Sequence, residues 1–178
     1  MHEILSTESV YEGRVIKVRV DTVRAPGGQT ARWDVIKHPG SVSIVPIGAD
    51  DRVLLVRQYR PATGETLLEI PAGTLETGES PQATAHRELR EEIGMHAERL
   101  CAIGSYFLVP GYSSELMHAY VATGLSPAPL PRDVDENISV VAIPFAELVA
   151  QVSRGELRDA KTVAAVLLVA CDRGTGCS

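Results

Sequence analysis

The stretch Gly73-Thr74-Leu75-Glu76-Thr77-Gly78-Glu79-Ser80-Pro81-Gln82-Ala83-Thr84-Ala85-His86-Arg87-Glu88-Leu89-Arg90-Glu91-Glu92-Ile93-Gly94-Met95 decides how this chain folds. Its second half reads as a helix of about 14 residues. Ser80 is placed to cap it, Pro81 suits the first helical position, and Gly94 supplies a left-handed stop. On a helical wheel Ala85, Leu89 and Ile93 make an apolar stripe that can lie on a sheet. Glu88, Glu91 and Glu92 crowd a neighbouring face near the helix C-terminus. Like charges at that spacing cost a few tenths of a kcal/mol per pair, and anions at the negative end of the helix dipole cost about 0.3 to 1 kcal/mol each. A solvated acidic face, partly neutralised by Arg87 and Arg90, is the ordinary explanation. The alternative is that a hard divalent cation relieves the repulsion, because such ions take oxygen ligands from a few carboxylates, waters and substrate phosphates.

On the N-terminal side the pattern is mostly strand. Ile16, Val18 and Val20 alternate with polar residues, Pro26-Gly27-Gly28 interrupts, and the pattern resumes around Trp33, Val35 and Ile36, which reads as a β-hairpin. Residues 41–47 and 52–57 are further β-rich runs, and 66–70 is a short one stopped by Pro71. Beyond the helix, 100–109, 115–121 and 138–143 read as strands, followed by helices from Pro144 to a stop at Gly155 and over 160–170. Residues 127–137, with three prolines, and the tail from Arg173 are expected to be disordered.

The chain has 178 residues, 44% hydrophobic, 22% charged and 4% aromatic, which excludes coiled-coil, collagen-like and disordered classes and requires an aliphatic core. A formal charge of −6 argues against a broad grip on nucleic acid. Cys101, Cys171 and Cys177 have no zinc spacing, no paired base for thiol chemistry is evident, and no signal-peptide pattern opens the chain, so a reducing cytoplasm is expected. The apolar run 163–171 is too short to span a membrane. His2, His38, His86, His96 and His118 lack metal-ligand spacing.

Gly73, Glu79 and the run from Arg87 to Met95 match every specified position of the Nudix box, so the chain resembles the hydrolases that act on a nucleoside diphosphate linked to another moiety. The resemblance implies an α/β (α+β) Nudix fold: a mixed β-sheet in an α/β/α sandwich, with an N-terminal antiparallel strand extension. It implies one domain over 1–178, with a strand region for dimerisation over about 1–40, a core over about 41–170 and a tail over 171–178. It further implies Mg²⁺ or Mn²⁺ held by Glu88 and Glu92, by Glu91 as ligand or water-positioning group, and by the backbone carbonyl of Ala72 or Gly73. Gly73, Glu79 and Arg87 then brace the loop against the helix through a charge-assisted arginine to carboxylate contact.

Three flanking features resemble the ADP-ribose pyrophosphatase branch. Arg57-Gln58-Tyr59-Arg60 precedes Glu69-Ile70-Pro71-Ala72-Gly73, with Arg60 expected at a substrate phosphate and Arg57 and Glu69 as further substrate-binding residues. Val109-Pro110-Gly111-Tyr112-Ser113-Ser114-Glu115 is similar to a substrate loop, although Val109 and Ser114 depart from its usual serine and acidic residue. Residues 155–162 resemble the terminal segment of the branch, with Asp159 as a helix cap. The implied reaction is ADP-ribose plus water giving AMP and ribose 5-phosphate, with Glu136 as the expected base and Glu91, Glu92 and Glu115 as other catalytic carboxylates. A homodimer is implied, and Trp33 either stacks on adenine or packs at an interface. Neither nucleic acid nor membrane is expected as a partner. The rival readings are a pyrophosphatase for ADP-glucose, GDP-mannose or a dinucleotide, a nucleotide-pool enzyme acting on oxidised triphosphates, and a non-catalytic nucleotide-sensing module.

Overall fold

The computed structural model describes residues 1–131 and 138–175. Two compact units share the chain: Met1–Gly40 with Tyr106–Leu116, and Ser41–Ser105 with Met117–Ser178.

The first unit is built on an antiparallel sheet in the order β1 (Glu3–Glu12), β2 (Lys17–Arg24), β3 (Thr30–Lys37). The expected hairpin is β2 and β3. Its turn closes through Ala25 N to Gln29 O at 2.8 Å, with Gly28 at φ 87°, a backbone angle that costs glycine little. β1 has no counterpart in the sequence reading, and all ten of its residues are exposed.

In the second unit β4 (Ser41–Pro46) is buried at all six positions, as a strand covered on both faces must be. It is the centre of a mixed sheet, β7 (Ala72–Thr74), β4, β9 (Leu116–Pro127), β8 (Met95–Phe107), in which β4 and β9 run parallel. A second sheet has the order β10 (Ile138–Pro144), β5 (Arg52–Arg60), β6 (Glu65–Glu69) and is antiparallel throughout. Helix α1 (Pro81–Glu92) packs on β4 and β7, α3 (Ala160–Thr175) also packs on β4, and α2 (Phe145–Ser153) packs on β5 and β10. The result is an α/β/α sandwich. The expected apolar stripe of α1 is its packing face: Ala85 and Leu89 are fully buried and join Val42, Ile44, Val56 and Ile93 in one aliphatic cluster.

Two expectations of disorder are corrected for the residues described. β9 extends to Pro127, and Ala128 N and Leu130 N bond the carbonyls of Gly94 and Arg90 at 2.9 and 3.0 Å, so backbone bonding anchors this Pro-rich start. The residues 132–137, Glu136 among them, lie outside those described. The helix α3 continues past Arg173 to Thr175, while 176–178, the rest of the expected tail, lie outside the described residues; the Arg173 guanidinium reaches Asp51 at 2.8 Å and lies 4.1 Å over the Phe145 ring.

Candidate active site

The loop and helix of the quoted stretch converge on Arg87. Its Nε and Nη2 donate to the two oxygens of Glu79, both at 3.1 Å, and Nη2 also reaches the Thr74 carbonyl at 3.3 Å. The remaining arm, Nη1, donates to Glu88 at 2.7 Å and to Glu91 at 2.8 Å. Burial opposes the Arg87 charge, but Glu79, Glu88 and Glu91 outweigh it and raise its pKa. In return the Arg87 fork, helped by the Thr84 hydroxyl at 2.8 Å, holds Glu79 below the ordinary carboxylate value. One guanidinium therefore ties the loop to the helix and offsets much of the repulsion that the spacing of the glutamates creates.

The backbone before the helix is fixed by the same carboxylates. Glu92 is 2% exposed and accepts a hydrogen bond from Ala72 N at 3.0 Å. The Glu88 carboxylate lies where a Cβ on Gly73 would sit, so no other residue fits there without displacing it. Ser80 accepts from Ala83 N at 3.2 Å and Gly94 has φ 71°, which set the two ends of α1 and thus the height of the glutamates along it.

Beside this cluster, still in the second unit, Arg60 lies on β5. Its Nε and Nη2 donate to the oxygens of Glu69 at 2.8 and 2.7 Å. Glu69 is 1% exposed and is also bonded by Lys161 Nζ. Burial alone raises the Glu69 pKa, yet Arg60 and Lys161 prevail and the group is held below its usual value. The hydrogen bond to Glu69 raises the Arg60 pKa, and Glu92 adds to this, so the cation is within electrostatic range of the box. Arg57, three residues earlier on the same strand, falls on the opposite face and is exposed.

The first unit holds the other residues singled out. Trp33 on β3, together with Arg32, Asp34 and Val35, faces Pro110, Gly111, Tyr112, Ser113 and Ser114 across an open cleft of about 620 Å³. The loop is fastened to β3 by Ile36 N to Tyr112 O at 2.7 Å and Ser114 N to Ile36 O at 2.9 Å. Glu115 follows, its N–H donating to the Ser113 hydroxyl at 3.2 Å.

Against this geometry, a family model for the NUDIX domain matches residues 37–166, and one for the nucleoside diphosphate sugar hydrolase N-terminal domain matches residues 3–36. The chain belongs to the Nudix family. A protein of Bacillus methanolicus named methanol dehydrogenase activator is 37% identical over 91% of this chain and 89% of its own. An ADP-ribose pyrophosphatase of Mycobacterium tuberculosis is 37% identical over 94% of this chain and 82% of its own. A crystal structure of an ADP compounds hydrolase superposes with a TM-score of 0.86 at 29% identity, covering 98% of this chain and 96% of that one. The protein is a Nudix pyrophosphohydrolase, and the family generally uses divalent metal ions.

The residues present suit such an ion by their chemistry. The Nudix helix offers hard oxygen donors, and the Gly73 position, kept clear of a side chain, brings the loop backbone against Glu88. Among the described residues no three His, Cys, Asp or Glu side chains stand close enough together to enclose an ion as they are placed. Sequence reasoning overlooked three members of this Nudix site: Thr84 on Glu79, Lys161 on Glu69, and Thr162, whose hydroxyl accepts from Ile70 N at 2.9 Å. The one available signal was a lysine at the start of the otherwise apolar run of α3.

Proposed function

We propose that the protein hydrolyses the diphosphate of ADP-ribose to AMP and ribose 5-phosphate, with Mg²⁺ or Mn²⁺ held by Glu88, Glu91, Glu92 and the Ala72 carbonyl. The observation that carries this reading is the box itself: Glu88 and Glu91 of the helix bonded to Arg87, and Glu92 on the same helix bonded to the Ala72 backbone, with Arg60 within electrostatic range, in a chain similar along nearly its whole length to a protein named ADP-ribose pyrophosphatase. A bound divalent ion supplies charge neutralisation to a diphosphate, whose crowded anionic oxygens otherwise repel a nucleophile.

The chain's own groups divide the remaining work. Glu92 fixes the Ala72 backbone while presenting carboxylate oxygen to the site. Arg60 provides the guanidinium fork for a phosphate. Water attack at phosphorus requires proton removal, which we assign to Glu136, with Glu91 and Glu115 as the other carboxylates suited to it. Trp33, exposed on β3, offers its indole as a stacking face for a purine. The exposed strand β1, carrying Ile4, Leu5, Val10 and Tyr11, supports assembly as a homodimer.

A panel of nucleoside diphosphate sugars in heavy-oxygen water, with magnesium, tests the substrate. ADP-ribose turned over fastest, with the label in one phosphate, supports the reading. Faster cleavage of ADP-glucose or GDP-mannose assigns the enzyme to that sugar instead, and no cleavage of any member points to a sensing module. Glu136→Gln is expected to slow turnover by about a hundred-fold or more, as loss of a general base does. A rate matching that of an exposed-surface control places the base elsewhere.

A further inference from the structure

The pairing of Glu69 leaves one cation without a role in the reaction. Glu69 is fully enclosed, yet two cations share its carboxylate: Arg60 through a two-bond fork and Lys161 through a single ammonium contact. Counted with Asp159, which also contacts Lys161, two carboxylates face two cations, and Lys161 is the one that touches both carboxylates. Lys161 is itself 7% exposed and is steadied by Asp159, at 2.9 Å, which also caps α3 by accepting from Thr162 N at 3.0 Å. Thr162 in turn holds Ile70 N, and the Glu92 carboxylate holds Ala72 N. The cluster thus joins the start of α3 to the backbone that leads into the box. Arg60 alone among its cations is partly open to solvent, with 37% of its side chain exposed against 9% for Lys161.

We propose that Lys161 is a positioning residue for the substrate phosphate, acting through Arg60, and the proposal rests on the diphosphatase reading above. An arginine locked to an enclosed carboxylate is a poor anion ligand, because turning toward a phosphate would leave the carboxylate buried and uncompensated. Lys161 removes that obstacle. While it stays on Glu69, Arg60 can give up one or both of its bonds to the carboxylate and donate to the substrate, and Glu69 keeps a cationic contact throughout. The division of duties follows from the two side chains: the fork fits a phosphate bidentately, and the compact ammonium fits the closed end of the cluster.

Steady-state kinetics on the full chain test this with Lys161→Met, Lys161→Arg, Arg60→Ala and the double variant Arg60→Ala/Lys161→Met. The substrate is whichever nucleoside diphosphate sugar the parent hydrolyses. Lys161→Met is expected to raise KM by about ten-fold, the worth of one charge-assisted contact, with kcat within about three-fold of the parent. Lys161→Arg, which keeps the charge, should restore KM to within about three-fold. The double variant should bind no worse than Arg60→Ala alone, since Lys161 has nothing to act through once Arg60 is gone. If Lys161→Met fails to fold by circular dichroism, Lys161→Gln takes its place, retaining a donor to Glu69 without the charge, and the same rise in KM is expected.

An unchanged KM in Lys161→Met or its substitute overturns the proposal. So does an equal loss from Lys161→Met in the presence and absence of Arg60, which marks a purely structural role. Should Arg60→Ala leave KM unaltered, the assignment of Arg60 to phosphate falls and the proposal falls with it. A parent that cleaves no nucleoside diphosphate sugar removes the diphosphatase reading itself.

Discussion

At Glu92 one carboxylate holds the fold and, in the proposed reaction, the metal as well. Its oxygen accepts from Ala72 N, so an alanine there would lose a buried contact as well as the proposed ligand. Glutamine separates the two, because its amide oxygen still accepts from the backbone but carries no charge. Glu92→Gln is therefore expected to keep the parent melting temperature within about 3 °C and to lower metal-dependent turnover by at least about a hundred-fold. Turnover within a few-fold of the parent removes Glu92 from the metal site. Gly73 makes the complementary case. Gly73→Ala forces a Cβ against the Glu88 carboxylate, so activity should fall by more than the accompanying loss of stability explains, measured as initial rate beside thermal melting. At this scale the box glutamates were legible because they share one helix. The engagement of Arg60 was not, because its anchor Glu69 is held from the far end of the chain, with Lys161 separated from it by 92 positions.

Among the elements, α1 was readable from end to end. Its cap, its first-turn proline and its glycine stop are each local signals, and each is realised in the structure. Removing the cap hydroxyl by Ser80→Ala should cost about 1 kcal/mol. In a chain of this length that lowers the melting temperature by roughly 2 to 4 °C, which calorimetry can resolve. No change would mean that the Ser80 bond to Ala83 N adds nothing beyond what water provides. β1 was invisible to pattern reading for a physical reason. A strand exposed on both faces has no inner and outer side, so no alternation is written into it. β7, three residues following a proline, is too short to show a period. The helix α3 was foreseen, but its reach beyond Arg173 depends on the contacts of Arg173 with Asp51 and Phe145, which lie far away in sequence.

For the molecule as a whole, charge pairing makes stability depend on acidity. Glu69 and Glu79 both titrate below the ordinary carboxylate value in the folded chain, so their contribution is present above the unfolded value of about 4.3 and is lost as pH falls through the folded values. Denaturant midpoints should therefore be flat from about pH 6 to 5 and drop below about pH 4, whereas the Arg60→Ala/Glu69→Gln pair should show a shallower drop. An equal drop in both proteins would show that Glu69 is not responsible. Light scattering is expected to give twice the 19.1 kDa chain mass, with a monomer mass contradicting the homodimer. The strands and helices around β4 were legible from their apolar runs and helix periods, whereas their arrangement as a sandwich came only through the resemblance to the Nudix family, because sheet order depends on pairings between distant strands.

Phosphorus NMR of ADP-ribose incubated with the purified protein decides whether the carboxylates of the box, with a divalent ion, cleave a diphosphate. AMP and ribose 5-phosphate should appear in equal amounts with magnesium or manganese and cease to form when a chelator is added. An ADP-ribose diphosphate signal that persists in the presence of either metal, or cleavage that continues undiminished in chelator, would contradict it.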